Sequence, residues 1–575
     1  MKGFNLPFHN WVPKPLGIFI YVFMFVPALF ISGAYTSNAG EMVGSLGIMT
    51  EHIQYANFAT AVGMTVFTPF TILFLEIRRS KMVYLIGLSA LAFISYICAE
   101  TNSMPLLIIC SFITGFIRII LIFNTLFGLL GYITGKDIVP LLKPSLVEVP
   151  KETEAKMEKI KAMALPFLYL FFLMVGQLGS FVTAWLAYSY MWQYVYYFMI
   201  ALTLICLLLV ELTMVYQKRK KAIRLTFTKF SDIVCASLLL LSFSFILIYG
   251  KTLDWFDNSL MNYSLVILLL STGVFFILET YSKRPYLDLK IFSFQNVIIA
   301  LLVFVMLMVL NSSSILVSTF VSISMKIDNW QNAVLSNYSL IGYVIGAILA
   351  TLMAKLNMHF KYIFSIGFLF ITIAAVYMYF QVQSMGLYEN MIFPVIIRSA
   401  GMLILYATAG IWGMRKLNMM YLTTWIFLML TFRSVIGPVA GTSLYTNVLN
   451  EKQSYYISRL SQNVDMLNPE IAGIFTQSQM GNMMQGKSVE DAQILATQSI
   501  KGRIQIQATL AALKEISGWT IYGGIACIVV VIAMPYSYHS IKKKLKVIKN
   551  ILTNSIFLRG HTCMSFEIFC KERRI

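Results

Sequence analysis

The chain has 575 residues, 58% of them hydrophobic and 12% charged, and its formal net charge is +19. This composition excludes an ordinary soluble globular protein and indicates an integral membrane protein. The positive charge does not require a nucleic-acid partner, because basic residues concentrated in the inner loops of a membrane protein account for it.

The hydrophobic residues are grouped into fourteen apolar segments, and a helix of roughly 17 to 25 such residues crosses a hydrocarbon layer of about 30 Å. Six segments precede a central pair and six follow it. The predicted fold is an all-α membrane protein with fourteen transmembrane helices. The predicted segments are Leu16 to Thr36, Ala56 to Leu75, Met82 to Cys98, Met104 to Leu130, Leu165 to Tyr188, Tyr194 to Tyr216, Phe230 to Tyr249, Tyr263 to Leu278, Val297 to Phe320, Val334 to Leu356, Tyr362 to Phe380, Met391 to Gly413, Met420 to Tyr445, and Trp519 to Ser537.

The distribution of basic residues predicts the orientation. An even number of spans places both termini on one side, and most of the 44 Lys and Arg residues then lie on that same side. Because inner loops are enriched in basic residues, we expect both termini to be cytoplasmic. We call the predicted cytoplasmic side the inner face and the opposite side the outer face.

A short basic loop follows the second segment and contains Glu76, Arg78 and Lys81. Anchoring on the inner face alone would account for its charges. The loop also resembles the one found at this position in the major facilitator superfamily. Glu76 stands at its acidic position and Lys81 at its last basic position, whereas Ile72 and Arg79 replace its two glycines. The resemblance implies that Glu76, Arg78 and Lys81 form a conformational loop.

The inner segment at residues 136–161 mixes acidic and basic side chains, with Glu152 and Lys156 four residues apart. Opposite charges at this spacing stabilise a helix. We therefore expect an amphipathic helix on the inner membrane surface.

Small residues recur in the fifth segment, where Gly176 and Gly179 lie on either side of Gln177. Small side chains allow helices to approach closely within a membrane. The stretch also resembles the antiporter motif of the major facilitator superfamily, in which Gly-Pro-x-x-Gly-Gly is followed by Trp. Gly179 and Trp192 match this motif, and small residues replace its proline and its glycine pair.

The central pair of segments carries the most specific pattern. Its two segments are joined by the turn Gly250-Lys251-x-Leu253-Asp254-Trp255-Phe256, and Glu279 is followed by Pro285-x-x-Asp288-Leu289-x-x-Phe292. This block resembles the EmrB-type proteins, the fourteen-span drug:proton antiporters of the major facilitator superfamily. The outer segment from Asn450 to Pro469 is similar to a loop of the same family. The residues that carry the resemblance are Gly115, Gly179, Trp192, Asp254, Trp255, Pro285 and Asp288.

The resemblance implies two six-helix bundles related by pseudo-symmetry, two additional helices between them, and a central cavity that opens alternately to each side. It also implies two partners, a periplasmic membrane-fusion adaptor (EmrA-like) and an outer-membrane channel (TolC-like). The predicted domains are the N-terminal bundle at 1–216, the two additional helices with their linkers at 217–296, the C-terminal bundle at 297–541 with a periplasmic loop at 450–518, and a basic cytoplasmic tail at 542–575.

The periplasmic loop at 450–518 is predicted to be helical on both sides of Asn468-Pro469. The sequence Ser488-Val489-Glu490-Asp491 is typical of a capping box that opens a helix running into the last span. We expect this loop to be a docking surface.

Three arginines, Arg118, Arg398 and Arg433, lie inside predicted spans. A charge at the centre of a bilayer costs about 2.5 to 3.5 kcal/mol even on the most lenient scale, so each one needs a partner or a watery cavity. One interpretation places them in the transport cavity. The other gives each a facing backbone carbonyl or an interfacial position. The family resemblance puts Ser111 and Thr114 at that family's Arg and Gln positions, so Arg118 could be a displaced substitute.

Polar residues in two other spans are further candidates for the cavity. Asn311 and Ser312 begin a polar run that interrupts the ninth segment, and Gln177 lies in the fifth. Hydrogen bonding between helices is the alternative reading of the run at Asn311 and Ser312.

A candidate proton carrier is harder to find, because no Asp or Glu occupies the middle of a predicted span. Relatives of the EmrB type have an Asp in the first span, where this chain reads Phe30-Ile31-Ser32-Gly33-Ala34-Tyr35. The nearest acid is Glu41. We hypothesise that Glu41 takes the proton-carrying role at the mouth of the cavity near Arg118; an ordinary loop position is the alternative.

The leading interpretation is a multidrug efflux transporter of the inner membrane. It would export hydrophobic or amphipathic compounds by alternating access, with proton antiport as the driving reaction. A cavity made positive by arginines would favour neutral or anionic compounds over cations. The alternative within transport is a facilitator or exchanger of an organic anion or a lipid-like compound without proton coupling, which the missing acid suggests.

Two further classes of function are alternatives to transport. An enzyme is not expected, because all five histidines lie outside the centres of the spans. Neither a cofactor nor a metal is predicted, since the spacing of Cys563 and Cys570 matches no zinc pattern. A scaffold or receptor that transports nothing is the last alternative.

Overall fold

The computed structural model describes residues 7–30, 39–71, 80–134, 151–216, 227–282, 285–383, 386–415, 417, 421–462, 464 and 468–536. Within these ranges the chain is helical and forms no strand, apart from one isolated backbone bridge between Phe8 and Met214. The helices are α1 Lys14–Phe30, α2 Ala39–Leu46, α3 Thr50–Val66, α4 Ser80–Glu100, α5 Met104–Thr134, α6 Lys151–Ser189, α7 Gln193–Thr213, α8 Phe227–Tyr249, α9 Ser259–Tyr281, α10 Gln295–Asn311, α11 Ser314–Ser324, α12 Asn329–Asn337, α13 Ser339–Lys355, α14 Phe360–Gln381, α15 Ile392–Met414, α16 Leu422–Leu430, α17 Gly437–Ser461, α18 Pro469–Met484 and α19 Val489–Ala533.

Twelve helical segments of the described chain are long and apolar enough to cross a membrane. These twelve helical segments correspond one to one with the predicted segments from the third to the fourteenth. The chain is therefore a multi-pass membrane protein. The first predicted segment corresponds to the shorter apolar helix α1, after which residues 31–38 lie outside the described ranges. The second corresponds to α3 and ends in the undescribed residues 72–79. The total of fourteen spans and the orientation of the termini stay predictions.

The inner segment before the fifth span differs from the prediction of a separate surface helix. Helix α6 begins at Lys151 and continues through the fifth span to Ser189, a length of 39 residues. Residues 135–150 lie outside the described ranges. From Lys151 onward, this segment is therefore a continuation of the spanning helix.

The packing of helices in the N-terminal half, α1 to α7, is repeated in the C-terminal half, α10 to α19. Helix α3 packs on α5, α1 on α5, and α4 on α7. In the same order, α13 packs on α15, α10 on α15, and α14 on α19. The two halves thus use equivalent helix pairs, the arrangement expected of two similarly folded bundles.

Glycines allow the closest of these contacts in both halves. A Cβ added at Gly115 would lie 2.0 Å from the carbonyl oxygen of Thr60, where α5 crosses α3. A Cβ added at Gly342 would lie 2.2 Å from the carbonyl oxygen of Ile396, where α13 crosses α15. Both positions need a residue without a side chain because backbone meets backbone.

The two halves meet along two seams. Helix α6 packs on α12, α13 and α15, and α3 packs on the helical segment Thr431–Ile436, which links α16 to α17. One hydrophobic core includes Val66 and Tyr169 from the N-terminal half together with Phe304 and Trp425 from the C-terminal half. Apolar packing is therefore continuous across the junction.

The two additional helices, α8 and α9, form a hairpin. Helix α8 packs on α9, on α3 and on α17, whereas the main contact of α9 is with α8. The geometry of the turn between α8 and α9 accounts for the residues of the motif that runs from Gly250 to Phe256. Asp254 and Trp255 have positive φ angles of 51° and 52°, and a Cβ added at Gly250 would lie 2.7 Å from the Trp255 ring. Asp288 caps a short helical turn by accepting a hydrogen bond from the backbone N–H of Lys290 at 3.1 Å.

The outer loop is helical, as predicted. Helices α17 and α19 extend past their predicted spans, and α18 packs on α19. Ser488 Oγ accepts a hydrogen bond from the backbone N–H of Asp491 at 3.1 Å, which is the predicted cap of a helix that continues into the last span. An ion pair of 2.6 Å between Lys452 and Glu515 joins the two long helices.

Candidate functional site

The candidate site is centred on Arg433, at the junction of the two halves. Arg433 lies in a π-helix, Thr431–Ile436, just before Gly437 and Pro438. Proline has no backbone N–H, so the α-helical ladder is interrupted here, and π-helical turns of this kind are frequent at functional sites. The site lies near the middle of the thirteenth predicted span.

Aromatic rings hold the Arg433 side chain. Its guanidinium carbon lies 4.3 Å from the centroid of the Tyr406 ring and 5.9 Å from that of Tyr169. A cation facing an aromatic ring gains about 0.5 to 2 kcal/mol, more when water is excluded. Arg433 Nε is buried and has no hydrogen-bond partner. The site therefore stabilises the positive charge while leaving one donor available.

The surrounding residues come from both halves, and we call the whole set the Arg433 cluster. Tyr169 on α6 meets Tyr406 on α15 edge to face, with ring centroids 5.3 Å apart. Phe304 on α10 contacts Tyr406 in the same manner at 6.1 Å, and the Tyr169 hydroxyl lies 3.7 Å from Met429 Sδ. An apolar, aromatic surrounding with one guanidinium group suits a poorly hydrated compound that carries one acceptor or negative charge.

Arg118 lies away from this cluster. It is buried between α5 and α1, and its Nε donates a hydrogen bond of 2.6 Å to the carbonyl oxygen of Ala28. This contact favours the second interpretation of the sequence, in which a facing backbone carbonyl accepts a hydrogen bond from the guanidinium group. Arg118 therefore links two helices of the N-terminal half.

Arg398 lies in the C-terminal half. It lines a small cavity with Ser313 on the α10–α11 connection, Met378 on α14, and Thr520 on α19. These elements all belong to one half, so the cavity is not between the halves. The structure thus places the three predicted arginines in three different surroundings.

The polar run of the ninth span breaks its helix, as the sequence indicates. Helix α10 ends at Asn311, and α11 begins at Ser314. Ser312 is buried, its hydroxyl donates to the Met308 carbonyl oxygen at 2.9 Å, and a Cβ added at Gly441 would lie 2.4 Å from that hydroxyl. Gln177 is half-buried on α6. The contacts of Ser312 favour helix packing.

Glu41 lies at the outer end of the junction between the halves. Its Oε1 accepts a hydrogen bond of 3.1 Å from the Asn329 amide at the start of α12, and its Oε2 is buried without a partner. Nearby, the rings of Phe181 on α6 and Trp330 on α12 are 4.9 Å apart. These contacts join the halves on the predicted outer face.

The predicted conformational loop is described only at its end. Glu76 and Arg78 lie outside the described residues. Lys81 is buried, and its Nζ lies 3.2 Å from the Glu211 carboxylate and 2.8 Å from the Glu211 carbonyl oxygen. Lys81 therefore ties α4 to α7 at the inner end of the N-terminal half.

The family-motif residues of the fifth and sixth spans pack closely. A Cβ added at Gly179 would lie 2.9 Å from the Phe30 Cα, where α6 meets α1. Trp192 is buried next to Tyr196, with the two rings nearly perpendicular. Small size at Gly179 has the predicted effect of close helix contact.

Sequence reasoning missed a buried carboxyl group at Glu279, near the inner end of α9. Only 5% of its surface is exposed, and Asp232 on α8 is buried to a similar degree. Glu279 directly follows the eighth predicted segment and Asp232 is the third residue of the seventh, positions typical of interfacial acids. The burial of Glu279 depends on the chain folding back after α9, which hydropathy does not predict.

No protein-family model and no curated protein matches the chain. Among solved structures it is similar to a mutant form of the nucleoside transporter NupG, with 11% identity, a TM-score of 0.49 and coverage of 88% of this chain and 98% of that one. For a bacterial homologue of the human lysosomal transporter Spinster, identity is 9%, the TM-score 0.47 and the coverage 90% and 96%. For the human organic anion transporter MFSD10, identity is 11%, the TM-score is 0.43, and the coverage is 76% of this chain and 94% of that one.

These likenesses assign no substrate to the chain. Its class follows from its own structure: a multi-pass membrane protein with two similarly packed halves and a central helical hairpin.

Proposed function

We propose that the protein is a transporter of the major facilitator type that works by alternating access. The observation that carries the proposal is the repetition of equivalent helix pairs in two halves that meet along two seams. Two such halves can rock against each other about their common junction, which opens a site there to one face and then to the other. The Arg433 cluster lies at that junction.

We further propose that it is an inner-membrane efflux transporter of the EmrB type, which exports hydrophobic or amphipathic compounds, with proton antiport as the driving reaction. The aromatic lining of the Arg433 cluster supports substrates that bind through apolar area. Its free Nε donor supports neutral or anionic members of that class over cations. In this proposal Glu41 remains a candidate proton carrier.

Dye accumulation in cells that express the full chain tests this proposal. We expect expressing cells to accumulate less of an anionic amphipathic dye than cells with an empty vector, and a cationic dye of similar size to be retained equally. Preferential export of the cationic dye would contradict the assignment of the substrate. Equal accumulation across a whole panel would contradict transport.

A facilitator or exchanger of an organic anion without proton coupling is the second candidate. It is favoured by the sequence Phe30 to Tyr35, where the EmrB-type resemblance would place an acid and none occurs. Collapse of the pH gradient separates the two mechanisms. Antiport predicts that export of the anionic dye stops, whereas exchange predicts that it continues.

We also propose that the outer helices α17 to α19 dock a periplasmic adaptor that connects to an outer-membrane channel. Helix α18 supports this role because Met480 and Met484 are 61% and 87% exposed there. Co-purification with a membrane-fusion protein tests it. Recovery of the adaptor should be lost when Met480 and Met484 are both changed to Lys, with dye binding by the transporter unchanged.

A further inference from the structure

A carboxyl group is buried at the inner end of the central hairpin. Glu279 lies three residues from the start of the next loop on α9 and is 5% exposed. Its Oε2 accepts a hydrogen bond of 3.0 Å from the backbone N–H of Leu287, and its Oε1 is buried without any hydrogen-bond partner. An ionised carboxylate in such a place loses hydration that its backbone hydrogen bonding replaces only in part, so binding a proton relieves the cost.

Among the described residues, the titratable groups that act on Glu279 are acids and a tyrosine. Asp232 faces it from α8, and Asp288 and Tyr286 face it from the segment that follows α9. Among the described residues, no basic side chain forms an ion pair with Glu279. Residues 217–226 and 283–284 lie outside the described ranges. Acidic neighbours make a second negative charge at Glu279 more costly still.

The hydrogen bond to Leu287 positions the neighbouring Tyr286, which contacts both halves of the molecule. The Tyr286 hydroxyl donates to the carbonyl oxygen of Val66 on α3. Its ring meets that of Phe427 on α16 edge to face, with centroids 5.4 Å apart. Helices α3 and α16 belong to opposite halves, so Tyr286 joins them at the predicted inner face.

We propose that Glu279 is a proton-binding site and that its protonation state controls the Tyr286 contact between the halves. This inference rests on the proposed transport function. The ionised carboxylate accepts a charge-assisted hydrogen bond from Leu287, and such bonds are roughly twice as strong as neutral ones. Protonation weakens this bond and releases the segment that carries Tyr286. The inner ends of α3 and α16 can then separate.

In this mechanism the ligand is a proton, and the hairpin of α8 and α9 couples it to opening of the inner face. Glu279 holds the proton, and Tyr286 is a positioning residue. Unlike the candidate proton carrier Glu41, this inner proton-binding group lies outside the six-helix bundles, in the part of the chain that distinguishes a fourteen-span from a twelve-span arrangement.

The first test measures proton binding without reference to transport. Purified full-length wild type, Glu279→Gln and the control Asp257→Asn are unfolded thermally from about pH 5 to about pH 9, a range that covers the usual titration of carboxyl and imidazole groups. Asp257 is exposed in the turn at the opposite end of the hairpin, so its substitution leaves the surroundings of Glu279 unchanged. We expect the Tm of wild type to fall relative to that of Glu279→Gln by about 2 °C or more as the pH rises.

The wild-type Tm should fall relative to that of Glu279→Gln because Gln mimics the protonated, neutral side chain and cannot ionise in the buried site. Asp257→Asn should follow the wild-type curve. Parallel Tm curves for wild type and Glu279→Gln would overturn the proton-binding site, whether or not the protein transports anything.

The second test measures coupling in proteoliposomes loaded with the anionic dye. We expect the pH dependence of wild-type transport to be lost in Glu279→Gln and in Tyr286→Phe. The Tm curve of Tyr286→Phe should nevertheless keep the wild-type dependence on pH, because Glu279 still binds its proton. If Glu279→Gln transports dye with the wild-type pH profile, the coupling role is wrong. Absence of dye transport by wild type would instead contradict the proposed function alone.

Discussion

The three arginines inside predicted spans lie in three different surroundings. Arg118 donates to a backbone carbonyl, Arg433 faces two tyrosine rings, and Arg398 lines a small, mostly apolar cavity. Because the cost of a membrane-embedded charge must be met by some partner, the sequence could predict that partners exist. It could not identify them, since each comes from a helix distant in the chain.

The Arg433 cluster makes the first residue-scale prediction. Arg433→Ala removes the only charge of the cluster, and we expect export of an anionic dye to fall by about tenfold, the effect of losing roughly 1.4 kcal/mol of binding or transition-state free energy. Arg415→Ala is the matched control, because Arg415 also faces aromatic rings, those of Phe360 and Trp412, but at the inner end of its span. Rates of dye export in proteoliposomes provide the measurement.

The same experiment distinguishes charge from size. Arg433→Lys keeps the positive charge and should retain more of the anionic dye export than Arg433→Ala. If Arg433→Ala and Arg415→Ala reduce export equally, the cluster has no special role in recognising the substrate.

Glu41 makes a second prediction at this scale. Its carboxylate accepts a hydrogen bond from Asn329 and keeps one oxygen unpaired. If Glu41 carries the proton, Glu41→Gln should abolish dye export driven by a pH gradient while leaving dye binding intact. The amide can still pair with Asn329, so the contact between the halves persists. Efflux that remains driven by the pH gradient in Glu41→Gln would end this hypothesis.

Helix pairs are held together by glycines at particular crossings. Gly63 and Gly115 bring α3 against α5, and Gly342 and Gly346 bring α13 against α15. In a lipid-embedded bundle, close packing replaces the hydrophobic driving force that holds soluble helices together. Equivalent helix pairs in the two halves therefore use the same device.

The prediction for this element is a selective loss of stability. In Gly115→Ala the added methyl group collides with the Thr60 carbonyl oxygen, and we expect a cost of about 1 to 3 kcal/mol, typical of overpacking. Gly176→Ala is the control, because nothing lies within 4 Å of a Cβ added there. Alanine is the better helix former by about 1 kcal/mol, so the control should be neutral or slightly more stable. Thermal unfolding in detergent compares them.

Hydropathy predicts most of the membrane-spanning helices. The segments from the third to the fourteenth coincide with observed helices, because roughly 20 apolar residues can satisfy their backbone in lipid only as a helix. The outer helix that starts at Ser488 was predicted from its cap. The sequence does not predict that α6 runs unbroken from Lys151 into the fifth span, because the charged first turns of this helix carry no apolar signal. The burial of Glu279 was missed since it depends on the chain after α9 folding back onto α3 and α16.

Within the described residues, the two halves contact each other at both ends of the molecule. On the predicted outer face, Glu41 pairs with Asn329 and Phe181 packs on Trp330. On the predicted inner face, Tyr286 links Val66 to Phe427. A transporter that alternates must break one set of contacts while it keeps the other, so permanent closure of either set should stop the cycle.

A reversible cross-link tests this requirement. In the double variant Phe181→Cys with Trp330→Cys, the two thiols replace rings whose centroids are 4.9 Å apart, and a bis-maleimide with a disulfide in its spacer should bridge them. We expect this cross-link to reduce dye transport by about tenfold or more, equivalent to at least about 1.4 kcal/mol, and a reductant, which cleaves the spacer, to restore it. The reason is that the outer ends of the two halves can then no longer separate.

The matched control is Lys452→Cys with Glu515→Cys, treated with the same reagent, which joins α17 to α19 across an ion pair of 2.6 Å within the C-terminal half. This cross-link should leave transport unchanged, because no contact between the halves is fixed. Wild type, treated in the same way, accounts for the native cysteines. Full transport by the cross-linked Phe181–Trp330 variant would mean that the outer ends do not separate during the cycle. The halves would then have to exchange substrate without rocking, and the repeated packing would lose its proposed mechanical role.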